Sequence, residues 1–152
     1  MDKEAITKIV TEKIRLVRTE KEYTQDKMAE VLGISKKTLV QIEKGRTEAN
    51  WTTVIAVCAL FRDSDTLRNS FGGNPLEVVE LSSHESVDKP KEKTMGGKVW
   101  WHNVAEDGKF KLQQNVISQH YRIIDDQDHR WFSSFSKEDT MEKFNRLTEM
   151  IK

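Results

Sequence analysis

Apolar positions recur at the spacing of a helix face along the first half of the chain. Ile6, Ile9, Val10, Ile14 and Val17 form the first such stripe. A second helix can begin at Thr24, whose hydroxyl is placed to accept from first-turn amides, and it carries Met28, Ala29, Val31 and Leu32 up to Gly33. Gly33 marks its end, because glycine takes the left-handed conformation without a steric penalty. Ser35 can cap a third helix with Leu39 and Ile42 inward, Lys36, Lys37, Val40, Gln41 and Lys44 elsewhere, and an end at Gly45. Asn50 can cap a fourth, strongly apolar helix through Val54, Ile55, Val57, Cys58, Leu60 and Phe61. A short fifth over 65–71 closes the bundle before Gly72 and Gly73.

Residues 75–97 contain both prolines and an alternating charge run around Pro90, and read as a linker. Within it Leu76, Val78, Val79 and Leu81 fit either a short strand or a cap on one of the domains. From Lys98 the period shifts toward two. KVWWHNV and FKLQQ flank a turn at Glu106, Asp107 and Gly108, and HYRIIDDQDHRWFSSF predicts a second hairpin turning at Asp125 to Asp128. Ser136 then caps a final helix, with Asp139 three residues on and Met141, Phe144, Leu147 and Ile151 as its buried stripe. The expected fold is an all-α five-helix domain over 1–74, followed by a small α+β domain over 98–152 with an antiparallel sheet and a C-terminal helix.

Charge narrows the function. Lys and Arg number 25 against 25 Asp and Glu, so no global field draws the chain to a polyanion, and any such site must be local. Between Gly33 and Arg46 four positive residues face one negative, a local +3, whereas residues 1–74 as a whole carry only +2. One cysteine forms no internal disulfide, and the start MDKEAITKIV lacks the apolar core of a signal peptide, which predicts a cytoplasmic protein. The longest apolar run, Val54 to Phe61, is far short of the about 20 residues that cross a bilayer, so no membrane partner is expected.

The segment YTQDKMAEVLGISKKTLVQIEKGR has the layout of a helix-turn-helix. Small Ala29 permits close helix crossing, Gly33 turns the chain, and Leu39 and Ile42 anchor the second helix so that its N-terminal side chains project outward. On Thr24, Gln25, Ala29, Gly33, Ile34, Ser35, Thr38, Leu39, Ile42, Glu43 and Gly45, residues 5–71 resemble the lambda-repressor-like, Cro/CI or Xre, family of DNA-binding domains. The resemblance implies that Gln25 bonds a backbone phosphate and that Lys36, Lys37 and Gln41 face base edges. Lys44 and Arg46 would hold phosphates, with Thr24, Ser35 and Thr38 completing the DNA-contacting set. Two departures stand out: Val40 is apolar on the outer face, and Glu48 adds a negative charge beside the phosphate contacts.

The second domain carries nine positive and nine negative side chains, so it lacks the footprint of another nucleic-acid site. Core packing accounts for most of its dense aromatics. Adjacent Trp100 and Trp101 must point to opposite strand faces, which with Trp131 and Phe132 makes a candidate surface for dimerisation or a protein partner. A turn explains the cluster His120, Asp125, Asp126, Asp128 and His129 more cheaply than a metal, and Cys58 reads as a packed thiol. No cofactor is implied. Residues 98–152 are too short for a self-cleaving peptidase, and no set of acid, base and nucleophile indicates an enzyme. The expected function is therefore a sequence-specific double-stranded DNA-binding regulator, a repressor acting as a homodimer on an inverted-repeat operator. The alternative is a two-function protein of a phage or other mobile element, whose first domain controls its own promoter while the second binds and inhibits a protein such as a defence nuclease or toxin.

Overall fold

A computed structural model describes residues 1–86 and 100–151, with the side chain of Ile151 excepted. The chain divides into two compact units, Met1–Lys89 and Pro90–Lys152.

The first unit is helical: α1 (Lys3–Glu20), α2 (Gln25–Leu32), α3 (Lys36–Glu43), α4 (Trp51–Leu60), α5 (Asp65–Phe71) and α6 (Pro75–His84). Each begins at a residue whose side chain accepts from a first-turn amide, in order Asp2, Thr24, Ser35, Asn50, Ser64 and Asn74. Each such cap is worth about 1 kcal/mol. Ile6, Val10, Ile14 and Val17 of α1 are fully buried and pack with Met28, Leu32, Leu39, Ile42, Val54, Val57, Cys58 and Leu67. On the apolar α4, by contrast, Ile55 and Leu60 face outward.

The linker expected over 75–97 is corrected at its start. Pro75 occupies the first turn of α6, where its missing N–H costs nothing, and the Asn74 side chain accepts from the Leu76 amide at 3.0 Å. Val79 is 3% exposed and joins the first core, with Val78 packed beside it. Thus of the two alternatives for Leu76, Val78, Val79 and Leu81 the strand is not formed, and the segment is a sixth helix that packs Val78 and Val79 onto the first domain. Residues 87–97 of that linker, with Lys98 and Val99 of the expected strand, lie outside the described residues.

The second unit is a four-stranded antiparallel meander, β1 (Trp101–Asp107), β2 (Phe110–Asn115), β3 (Tyr121–Ile124) and β4 (Arg130–Ser134), followed by α7 (Lys137–Ile151). Asp107 pairs with Phe110, so the first turn is Gly108–Lys109, with Gly108 at φ +59°, and the expected turn residues Glu106 and Asp107 belong to the strand. Asp125 organises the second turn, its Oδ1 accepting from the amides of Gln127 and His129, both at 2.9 Å. Ser136 caps α7 through the Asp139 amide at 3.1 Å. Leu112, Ile123 and Phe132 lie in one cross-strand row and pack against Phe144 and Leu147 of α7.

Candidate nucleic-acid interface

The geometry of α2 and α3 is set by two local devices. Gly33 closes α2 at φ +73°, with its own amide and that of Ile34 turned back onto Glu30 and Ala29 carbonyls. Ser35 then opens α3, its Oγ accepting from the Thr38 amide at 3.0 Å while its hydroxyl donates to Thr38 Oγ1 at 2.8 Å. Below this turn Ala29, Leu39 and Ile42 are buried, which fixes how α3 lies on α2.

A third device is long-range. The Arg18 guanidinium grips Glu43 Oε1 through Nε at 2.9 Å and Nη2 at 2.8 Å, while its Nη1 donates to the Tyr23 carbonyl at 3.0 Å. The other Glu43 oxygen accepts from Gln25 Nε2 at 3.1 Å. This clamp joins the end of α1, the start of α2 and the end of α3. The Glu43 side chain is 4% exposed, so the one negative charge of the Gly33–Arg46 stretch is turned inward and neutralised. Its removal from the surface sharpens the positive character of what remains outside.

The candidate contact residues distribute unequally around this frame. Thr24, Ser35, Lys36, Lys37, Thr38, Lys44 and Arg46 are exposed, and Gln25, Gln41 and Val40 are half-buried. Thr24 and Ser35 serve as caps; the Thr24 hydroxyl proton remains a donor, while that of Ser35 is given to Thr38, whose own hydroxyl proton is left as a donor. Gln25 gives one N–H to Glu43 and keeps the other for an outside acceptor. Lys36 is held at 3.3 Å by Asp26 on α2, an exposed pair of the weak kind. Lys37, Lys44 and Arg46 make no ion pair among the described residues, so their charges are open to an anionic partner. Arg18 and Asp26 were missed by sequence reasoning. Arg18 is separated from Glu43 by most of the helix-turn-helix, and only a fold that brings α1 to α3 reveals the pair.

In the second unit Trp100 and Trp131 are about half exposed, Trp101 is partly covered, and Phe132 turns inward onto the core. Trp100 stands just before β1 rather than within it. Trp131 meets Phe110 edge-on with ring centroids 5.4 Å apart, and its indole N–H donates to Asp125 Oδ2 at 3.1 Å. Burial lifts the Asp125 carboxyl, but hydrogen bonds from Trp131, His129 and Gln127 outweigh it and hold the pKa below the ordinary carboxylate range. Cys58 is buried among apolar side chains, and desolvation pushes its thiol up to about 12.

The first unit thus presents a short, positively charged helix on a clamped two-helix frame, the arrangement of a DNA-binding helix-turn-helix. Residues 14–63 match the helix-turn-helix family, in agreement with the Xre, lambda-repressor-like resemblance of the sequence. The match supports a DNA-binding regulator and does not extend to the second unit. Neither a curated protein nor a solved structure matches the chain. Among the described residues no helix is long and apolar enough to cross a membrane.

Proposed function

We propose that this protein is a sequence-specific transcriptional repressor that binds an inverted-repeat operator as a homodimer in the cytoplasm, without a catalytic step. The observation that carries the reading is the exposed basic set on and after α3, with Glu43 withdrawn into the Arg18 clamp. Lys37 and Gln41 read base edges, while Lys44 and Arg46 hold phosphates. Two recognition helices on one duplex face require half-sites about 10 base pairs apart or a multiple of that. Repression follows from occluding a promoter.

The test is selection of bound duplexes from a random pool by the full-length protein. Enrichment of an inverted repeat supports the dimeric repressor. Enrichment of a single half-site removes the dimer from the proposal, and enrichment of nothing removes DNA recognition altogether. A second reading concerns the other unit, where Trp100, Ile117 and Phe135 stand exposed. On this reading the second unit holds a protein partner, as a two-function mobile-element protein would.

A further inference from the structure

The two faces of the second unit's sheet differ in kind. One carries the Leu112, Ile123 and Phe132 row under α7. Side chains alternate along a strand, so the register places Asn103, Gln113, Arg122 and Ser133 in a row on the opposite face, one from each strand. Gln113 Nε2 donates to Asn103 Oδ1 at 3.0 Å, and Arg122 Nε donates to Gln113 Oε1 at 2.9 Å. Arg122 is only 6% exposed, yet its Nη2 is buried without a hydrogen-bond acceptor among the described residues. Asp128 and Arg130 act on it with opposing fields. The guanidinium carbon lies 3.9 Å from the centroid of the Trp101 ring. His120 meets Trp101 edge-on at 4.8 Å and Phe135 at 5.8 Å.

Large apolar side chains gather at the same end of the sheet. Trp101 pairs with Asn115, and Tyr121 with Ser134, so the start of β1, the β2–β3 turn and the end of β4 lie together. There Trp100 is 54%, Ile117 70% and Phe135 78% exposed, and the Val116 amide is bonded to the Trp100 carbonyl at 2.7 Å. Solvated apolar side chains grouped beside Trp and Arg have the composition of an interface centre.

We propose that this face docks a segment of a foreign protein that presents an Asp or Glu carboxylate flanked by apolar side chains. The apolar side chains cover Trp100, Ile117 and Phe135. The carboxylate gives Arg122 Nη2 its missing acceptor, and displacement of the half-buried Trp101 indole from the guanidinium opens the way. Charge decides between occupants. A second copy meeting this face across a twofold axis would bring Arg122 toward its own equivalent, and a phosphate backbone would need a basic track that residues 98–152, with nine charges of each sign, do not provide. The inference rests on the reading that the second unit holds a protein partner and adds the chemistry of that partner.

The probe is a displayed library of short random peptides, panned on the full-length protein, followed by titration of one enriched peptide with tryptophan fluorescence as readout. Enriched peptides are expected to carry Asp or Glu beside aromatic or branched apolar residues. Amidating that carboxylate, Arg122→Gln and Phe135→Ser should each weaken binding by about tenfold or more. Phe135 is exposed, so its substitution keeps the test meaningful if Arg122→Gln fails to fold. Enriched peptides without an acid that still depend on Phe135 overturn the carboxylate chemistry and leave the partner reading standing. No enrichment overturns both, and self-association abolished by Phe135→Ser overturns the proposal in favour of a second copy.

Discussion

In the first unit Ile6, Val10, Ile14 and Val17 of α1 are fully buried, Ile9 of the expected stripe is only partly covered, and even the added α6 contributes Val79 to the same interior. In the second, Phe110, Leu112, Ile123, Phe144 and Leu147 make a core of a few side chains, while Ile117, Phe135, Trp100 and Trp131 remain in solvent. Part of the contrast is size, since a small unit has less interior to offer its large side chains. The rest concerns the kind of contact each unit makes. A closed core with a polar, positively charged outer helix suits a polyanion. Aromatics left outside suit a partner that removes them from water.

The largest expected effect tests whether the first unit depends on its clamp. Arg18→Met leaves the Glu43 carboxylate buried without its cation and should cost about 3–5 kcal/mol in urea unfolding, most of it recovered by adding Glu43→Leu. A loss below about 1 kcal/mol would mean that the clamp behaves as a surface pair. Next comes the reach of the first core. A fragment ending at residue 74 should unfold more easily than one ending at residue 86 by at least the about 1.5–3 kcal/mol of one fully buried side chain. Equal stability would detach α6 from the core.

Contact chemistry separates the units further. Lys44→Ala should weaken all duplexes alike and lower the salt slope of binding by about one per protomer, while Lys37→Ala relaxes preference at one base position. Phe135→Ser should change neither, and should alter stability by no more than about 0.5 kcal/mol. If Phe135→Ser instead shifts DNA affinity, the two surfaces are not independent. The smallest effect is on pH. The Ser64 hydroxyl, together with the Thr66 amide and hydroxyl that donate to Glu20 at 3.1 and 3.2 Å, holds the Glu20 carboxyl below the usual range. Its contribution is present at neutral pH and is lost as pH falls through that lowered value, so Glu20→Gln should flatten the acid limb of a thermal-melting profile.

The local devices of the first unit were legible in the sequence: Thr24, Ser35 and Asn50 as caps, and Gly33 as a left-handed stop, each act within a few residues. The α6 start at Asn74–Pro75 is equally local, but it follows Gly72–Gly73 and runs into a charged, proline-bearing stretch whose composition outweighed its cap. What was not legible is long-range. The pairing of Arg18 with Glu43 and of Lys36 with Asp26 depends on how helices cross. In the second unit, an irregularity sets Ile123 opposite Phe132 but Ile124 opposite Arg130, so Trp131 drops out of the pairing. Alternation places Trp131 and Phe132 on opposite faces, but only the register, with Phe132 opposite the buried Ile123, shows which of the two is covered. The same reasoning found Trp100 and Trp101 but passed over Ile117 and Phe135, whose exposure follows from where the sheet ends.

The chain's single thiol sits in α4, fully enclosed, with its deprotonation suppressed by desolvation. Because the thiolate is the reactive form, alkylating reagents can reach Cys58 only when the helical unit opens. The chain therefore contains its own clock for that event: the rate of thiol modification under native conditions reports how often the DNA-binding half breathes. It does so without a mutation, and without a signal from the half that carries Trp100 and Phe135.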